Sequence, residues 1–350
     1  MTLDFDAILS YLNGKDDEKL FAAADELRRK VFGDAVYLRG IIEFSNYCQE
    51  NCLYCGLRRA NRKIIRYRLN FAEIMACMAE IAAAGITTIV LQAGDDPYYS
   101  PEIIAKIIKA IKLQYPVAVT LSLGEHDVET YKLWRDAGAD RYLLKIETFD
   151  QDNYRRLRPG KSWDERRKCI ESLRKLGYEV GSGIMVGLPG ETSESLVHAI
   201  QQLTTMELHM IGLGPFIVHP QTPLASESNG DLNLTYQTLA LTRLLNPYAN
   251  IPATSAFDGL KPGARRCGLH IGANVIMPTF TPDYLKEHYN IYPGKNVSGI
   301  DHADSLQSAL RMIKEAGYTI SYARGDSPLK FQISNSKSQN YKSVFRCVEG

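Results

Sequence analysis

Between residues 36 and 276, short apolar runs alternate with longer stretches in which apolar residues recur every three or four positions. The short runs are Val36 to Leu38, Thr87 to Leu91, Val117 to Leu121, Arg141 to Leu144, Val180 to Val186, Met210 to Phe216, a weaker one at Ile251 to Ser255, and Gly272 to Ile276. Near-continuous apolar strands separated by helices predict a parallel sheet covered on both faces. Eight such units predict an α/β fold in which the sheet closes, a (β/α)8 TIM barrel, with a doubly wound open sheet as runner-up. Residues 2–31 carry amphipathic helical spacing, with Leu20, Ala24 and Leu27 on one face. The pattern divides the chain into an N-terminal helical extension at 1–33, a barrel at 34–326 and a peripheral tail at 327–350.

In either architecture, ligands and catalytic groups gather at the carboxyl ends of the strands. Function is therefore expected in the loops at 45–56, 92–99, 122–126, 145–148 and 187–191.

Composition narrows the partners. The 350 residues are 45% hydrophobic and 23% charged, as in a globular protein with a full core. Lys and Arg number 41 against 40 Asp and Glu, and on this reading no block of like charge stands out, so no nucleic-acid partner is expected. The first residues lack the basic start and apolar run of a signal peptide, and no apolar stretch is long enough to span a bilayer. A cytoplasmic protein without a membrane partner is expected. The sequence leaves the oligomeric state open.

Seven cysteines include Cys48, Cys52 and Cys55 within eight residues, and an odd, crowded set in this setting suggests metal rather than disulfides. Cys77 and Cys169 fall in helical patterns and read as buried small hydrophobes, and Cys267 and Cys347 are isolated. Three thiolates at the spacing C-x3-C-x2-C can take three corners of one iron-sulfur cube, leaving one iron without a protein ligand. A zinc loop is the rival reading, but zinc usually takes a fourth Cys or His, and every histidine is distant in sequence.

With an aromatic residue, Tyr54, before the last cysteine, this motif resembles that of the radical S-adenosylmethionine (SAM) superfamily. The resemblance implies a 4Fe-4S cluster on Cys48, Cys52 and Cys55 and reductive cleavage of SAM to methionine and a 5'-deoxyadenosyl radical. It further implies a SAM pocket. Gln92-Ala93-Gly94-Asp95-Asp96-Pro97 matches the glycine-rich motif that holds the SAM amino group, and Ser122 ends the next strand. Glu147 matches an acidic SAM-binding position, and Arg166 an arginine that pairs with the SAM carboxylate. Gly183 to Glu191 loosely resembles the G-x-I-x-G-x-x-E stretch on the adenine side, bringing in Met185, Gly187 and Leu188, with Glu191 one place late.

Within the superfamily, stretches such as Ile41 to Asn46, Val90 to Tyr99, Thr120 to Glu125, Gly212 to Ile217 and Gly272 to Pro278 resemble the FeFe-hydrogenase maturase HydE and its relatives methylornithine synthase and biotin synthase. A HydE-like enzyme acting on a small molecule inside the barrel is the implied function, with a reductant such as ferredoxin or flavodoxin. The alternatives are a methylornithine-synthase-like mutase and, from another class, a non-catalytic metal-binding barrel. Ile146 replaces a histidine usual in HydE, at a position expected at the barrel mouth. Arg58, Gln92, Lys145, Thr254 and Ser255 are the expected substrate contacts, since small-molecule sites combine apolar walls with a few convergent polar groups.

Overall fold

The computed structural model describes residues 3–295 and 306–329; the predicted tail from 330 onward, with Cys347, lies outside the described residues. Two helices open the chain, Phe5–Leu12 and Asp17–Phe32, each with an aspartate at its N-cap. Arg28 ties the second helix to the barrel: it is fully buried and donates to the carbonyl oxygens of Gly33, Ala35 and Ala273.

The first barrel strand runs through Ala35–Leu38 and Gly40–Ser45 and pairs in parallel with Thr88–Ala93. The ring continues through Ala118–Ser122, Arg141–Leu143, Glu179–Ser182 and Met210–Ile211, all parallel. Single bridges at Asn250 and Pro252 carry it to Val275–Ile276, which pairs with Tyr37 and Leu38 of the first strand. The sheet therefore closes on eight strand positions. The seventh is the weakest, as its sequence pattern is.

Local chemistry starts the outer helices. Asn70 caps Phe71–Ala83 in a reciprocal pair with Glu73, and Thr192 does the same with Ser195 for Ser193–Thr205. Ser100, Asp127, Asp150 and Ser162 supply side-chain oxygens at the starts of four others.

One strand was not foreseen. Thr319–Ser321 pairs with the lower half of the first strand, outside the ring of eight, and leads into a floor across the barrel's N-terminal end. There the buried Arg141 donates to Glu179 at 2.9 Å, to the Arg324 carbonyl at 2.9 Å and to Asp326 at 2.5 Å. Ser327, the first residue of the predicted tail, is fully buried and donates to the Tyr248 carbonyl. No helix among the described residues is long and apolar enough to cross a membrane.

Candidate active site

With the floor closed, the open end of the barrel is the carboxyl end. A cavity of about 370 Å³ lies there, walled by apolar residues such as Leu143, Leu213, Phe216 and Ile291. Cys48, Cys52 and Cys55 all line it, and none is in a disulfide. Their loop is pinned on every side. Asn46 donates to the carbonyls of Ile65 and His288, Gln49 N–H donates to the Asp95 carbonyl, Leu53 N–H to Leu157, and Gly56 N–H to Ile291.

Gly94 is required by this closeness. A Cβ there would stand 2.0 Å from the Tyr47 carbonyl oxygen and 2.8 Å from Cys48 Cβ, so any side chain would push the cysteine loop outward. Gly56 is equally confined, since a Cβ on it would come within 2.1 Å of the Asn290 carbonyl oxygen.

Burial pushes the Cys48 thiol up to about 11, and burial with the two neighbouring thiols pushes Cys55 up further. Such thiols ionise when an electropositive group binds them. Guanidinium groups stand by to balance the charge: Arg66 interacts with Cys48 and Cys55, and Arg158 with Cys52. Among the described residues no three His, Cys, Asp or Glu side chains close around a single ion. Three thiols lining one cavity, with guanidinium groups beside them, are the donor set that an iron-sulfur cube takes.

Around the thiols the cavity wall also holds Tyr54, Gly94, Asp95, Ser122, Glu147, Arg166 and Met185, and, among the expected substrate contacts, Gln92, Lys145, Thr254 and Ser255. Gln92 and Ser122 are register partners on adjacent strands. Glu147 forms a 3.1 Å ion pair with Lys145, and its backbone sits at φ 72°, a left-handed conformation that costs a residue with a Cβ about 1–3 kcal/mol. Its N–H donates to the Gly183 carbonyl and its own carbonyl accepts from Met185, so the neighbouring strand holds it in place. Arg166 donates to Glu125 at 2.9 Å and to the Lys145 carbonyl at 2.8 Å, leaving Nη2 without a partner among the described residues.

Four expected residues stand elsewhere. Asp96 turns away from the cavity to accept two bonds from Arg68, at 2.7 and 2.9 Å, and one from Ser45. Gly187, at φ 81°, packs against Gly230, where a Cβ would be 2.4 Å from the Gly230 Cα. Leu188 joins Leu157, Phe216 and Leu224 in a small cluster beneath Tyr54 and Met185, so it backs the pocket without lining it. Arg58 lies behind the loop, its Nε buried. Ile146 also departs from expectation: its side chain is fully buried in the core, while Lys145 and Glu147 on either side line the cavity.

Glu191 closes the Gly187 turn by accepting its N–H at 2.6 Å. Burial pushes its carboxyl up to about 7, above the ordinary 4.5. Ionising it therefore costs native stability: the penalty is absent below about pH 4.5, grows as pH rises, and is complete above about pH 7, on the order of 3 kcal/mol. Glu191→Gln is expected to gain most of that at pH 8 and little at pH 5, read as the difference in thermal midpoint from wild type at the two values.

Pattern reasoning did not single out several wall residues. Glu43 is fully buried within the first strand, ion-paired with Lys295 and accepting from Thr279 at 2.6 Å and Thr281 at 2.5 Å. Tyr292 meets the Ser255 hydroxyl at 2.7 Å. At the mouth, Glu125 gathers Arg166, Arg158 and Lys161, and Lys161 also reaches Glu50 at 2.7 Å. A carboxylate inside the apolar run Ile41-Ile42-Glu43-Phe44 was a legible signal for Glu43; Lys295 and Tyr292 carried none.

The family model of the radical SAM superfamily matches residues 42–203, which span the cysteine loop and the strands that carry Gly94, Glu147 and Met185. The [FeFe] hydrogenase maturase subunit HydE of Thermotoga maritima is 52% identical over 279 residues, 80% of each chain. The chain belongs to the radical SAM superfamily, in the group that contains HydE. As a radical SAM enzyme it uses a 4Fe-4S cluster and SAM. The 3-methylornithine synthase of Methanosarcina acetivorans is 30% identical over 283 residues, 80% of this chain and 79% of that one. A crystal structure of methylornithine synthase (PylB) superposes with a TM-score of 0.82 at 26% identity, covering 95% of this radical SAM chain and 97% of the other.

Proposed function

We propose that this enzyme is a HydE-type maturase that cleaves SAM reductively and turns the resulting 5'-deoxyadenosyl radical on a small molecule in the barrel, during assembly of the FeFe-hydrogenase cofactor. The observation that carries this reading is the 52% identity, over 80% of each chain, to a protein named as the HydE subunit of that maturase. Cys48, Cys52 and Cys55 would hold the cluster, which when bound supplies an open iron and one electron. Gly94, Asp95, Ser122, Glu147 and Met185 would hold SAM, with Arg166 Nη2 offered to its carboxylate. Gln92, Lys145, Thr254 and Ser255 would orient the substrate, and the apolar wall would keep water from the radical. The reductant would be a ferredoxin or flavodoxin, and the location the cytoplasm.

A second reading, a mutase like methylornithine synthase, draws on the superposition over nearly the whole of both chains. Anaerobic reconstitution, reduction with dithionite and addition of SAM should yield 5'-deoxyadenosine; an intact cluster that yields none removes both readings. Adding the protein to an FeFe-hydrogenase maturation mixture that lacks its HydE should then restore hydrogen evolution. If it does not, and 3-methylornithine forms in an amino-acid mixture, the mutase reading stands instead.

A further inference from the structure

Charge is not evenly mixed along the whole chain. Residues 58–68 contain Arg58, Arg59, Arg62, Lys63, Arg66 and Arg68 and no acidic residue, in a chain whose formal net charge is only +1. This run begins three residues after Cys55 and is laced to the cysteine loop. Arg58 N–H donates to the Cys55 carbonyl, Arg59 N–H to the Glu50 carbonyl, Ala60 N–H to the Asn51 side chain, and Arg66 to the carbonyls of Asn46 and Leu57.

Arg59, Arg62 and Lys63 are exposed and have no carboxylate within ion-pair reach among the described residues. Apolar side chains are also exposed, on the same segment and on the loop that Arg68 reaches. Ile65 is 65% exposed and Tyr98 61% exposed, and the Arg68 guanidinium lies over both Tyr47, at 3.7 Å, and Tyr98, at 4.6 Å. Asp96 fixes Arg68 there. A stabilising role would not need unpaired like charges on one loop, since they repel each other. Unpaired cations on a segment that also exposes an apolar side chain make a surface suited to an acidic partner.

We propose that this surface docks the electron donor, a small acidic flavin or iron-sulfur carrier protein. The proposal rests on the reading above that the three cysteines hold a cluster that must be reduced. One electron leaves the reduced carrier and enters that cluster; no bond forms or breaks, and the carrier departs oxidised by one electron. Transfer is fast only at short range, and this segment lies one hydrogen bond from the loop that carries the ligands. Carrier complexes bury little area and part quickly, so their encounter depends on charge steering more than on contact.

The test uses the reconstituted enzyme and purified flavodoxin. Binding to wild type should weaken as ionic strength rises. The triple variant Arg59→Glu, Arg62→Glu, Lys63→Glu should bind at least about tenfold more weakly at low salt. Carbodiimide should couple Lys63 to a flavodoxin carboxylate. With dithionite, which needs no docking, the variant should produce 5'-deoxyadenosine at the wild-type rate, while its flavodoxin-driven rate falls. Equal flavodoxin affinity in wild type and variant, or no measurable binding of flavodoxin or an acidic ferredoxin to wild type, overturns the docking site. So does oligonucleotide binding lost in the variant while flavodoxin binding is unchanged. Failure of wild type with dithionite instead overturns the radical SAM assignment, a separate result.

Discussion

Replacing Cys52 with Ala is expected to strip the protein of iron and sulfide after anaerobic reconstitution and to reduce 5'-deoxyadenosine formation to background. Loss of an outer-shell partner costs a metal site roughly 10–100-fold, and loss of one of three direct ligands should exceed that. Cys52 is half-buried in the cavity wall, and its loop is held by backbone bonds from Gln49, Leu53 and Gly56 rather than by its own side chain. The variant should therefore fold with an unchanged circular dichroism spectrum, which separates ligand loss from misfolding. A variant that keeps its visible absorbance and its activity would mean that the ligand set is wrong.

Glu43→Ala should produce the largest loss of stability. Burial alone would raise the Glu43 carboxyl; Lys295, Thr279 and Thr281 instead hold it below the usual range. The carboxylate thus contributes stability above its unfolded pKa, lost as pH falls through the lower folded value. Removing it breaks a nearly buried ion pair and takes the acceptor from Thr279 and Thr281, and breaking such a pair costs about 3–5 kcal/mol. Lys295→Met should cost a comparable amount, and the double variant less than the sum, because both changes remove the same interaction. Denaturant midpoints of the three variants check this; additive losses would mean that the pair does not act as a unit. Lys295 follows a stretch that meets both Gly56 and Ser255, so the same variants should loosen the cavity wall.

The barrel was legible because buried parallel strands leave nearly unbroken apolar runs, and the cysteine loop because three thiols in eight residues are rare without chemistry. The upper half of the first strand was harder to see. Glu43 interrupts its apolar run, and the lysine that neutralises it lies 252 residues away. The strand Thr319–Ser321 is short and partly polar, so its pairing with Ala35–Tyr37 depends on tertiary contact rather than on pattern. In the candidate site, residues at strand ends were found because topology places them there. Asp96 shows the limit: its neighbour Asp95 faces the cavity, and the partner that draws Asp96 the other way, Arg68, comes from a separate loop. Ile146 shows another limit, since it lies past Leu143, the end of its strand, where alternation no longer tells which way a side chain faces.

The left-handed backbone at Glu147 has a consequence for any attempt to evolve this enzyme toward robustness. Glycine adopts φ 72° freely, so a library sorted for heat resistance would enrich glycine at 147 and discard the carboxylate that faces the thiols' cavity. On the proposal that Glu147 holds SAM, selection for endurance and selection for turnover would pull in opposite directions at that position.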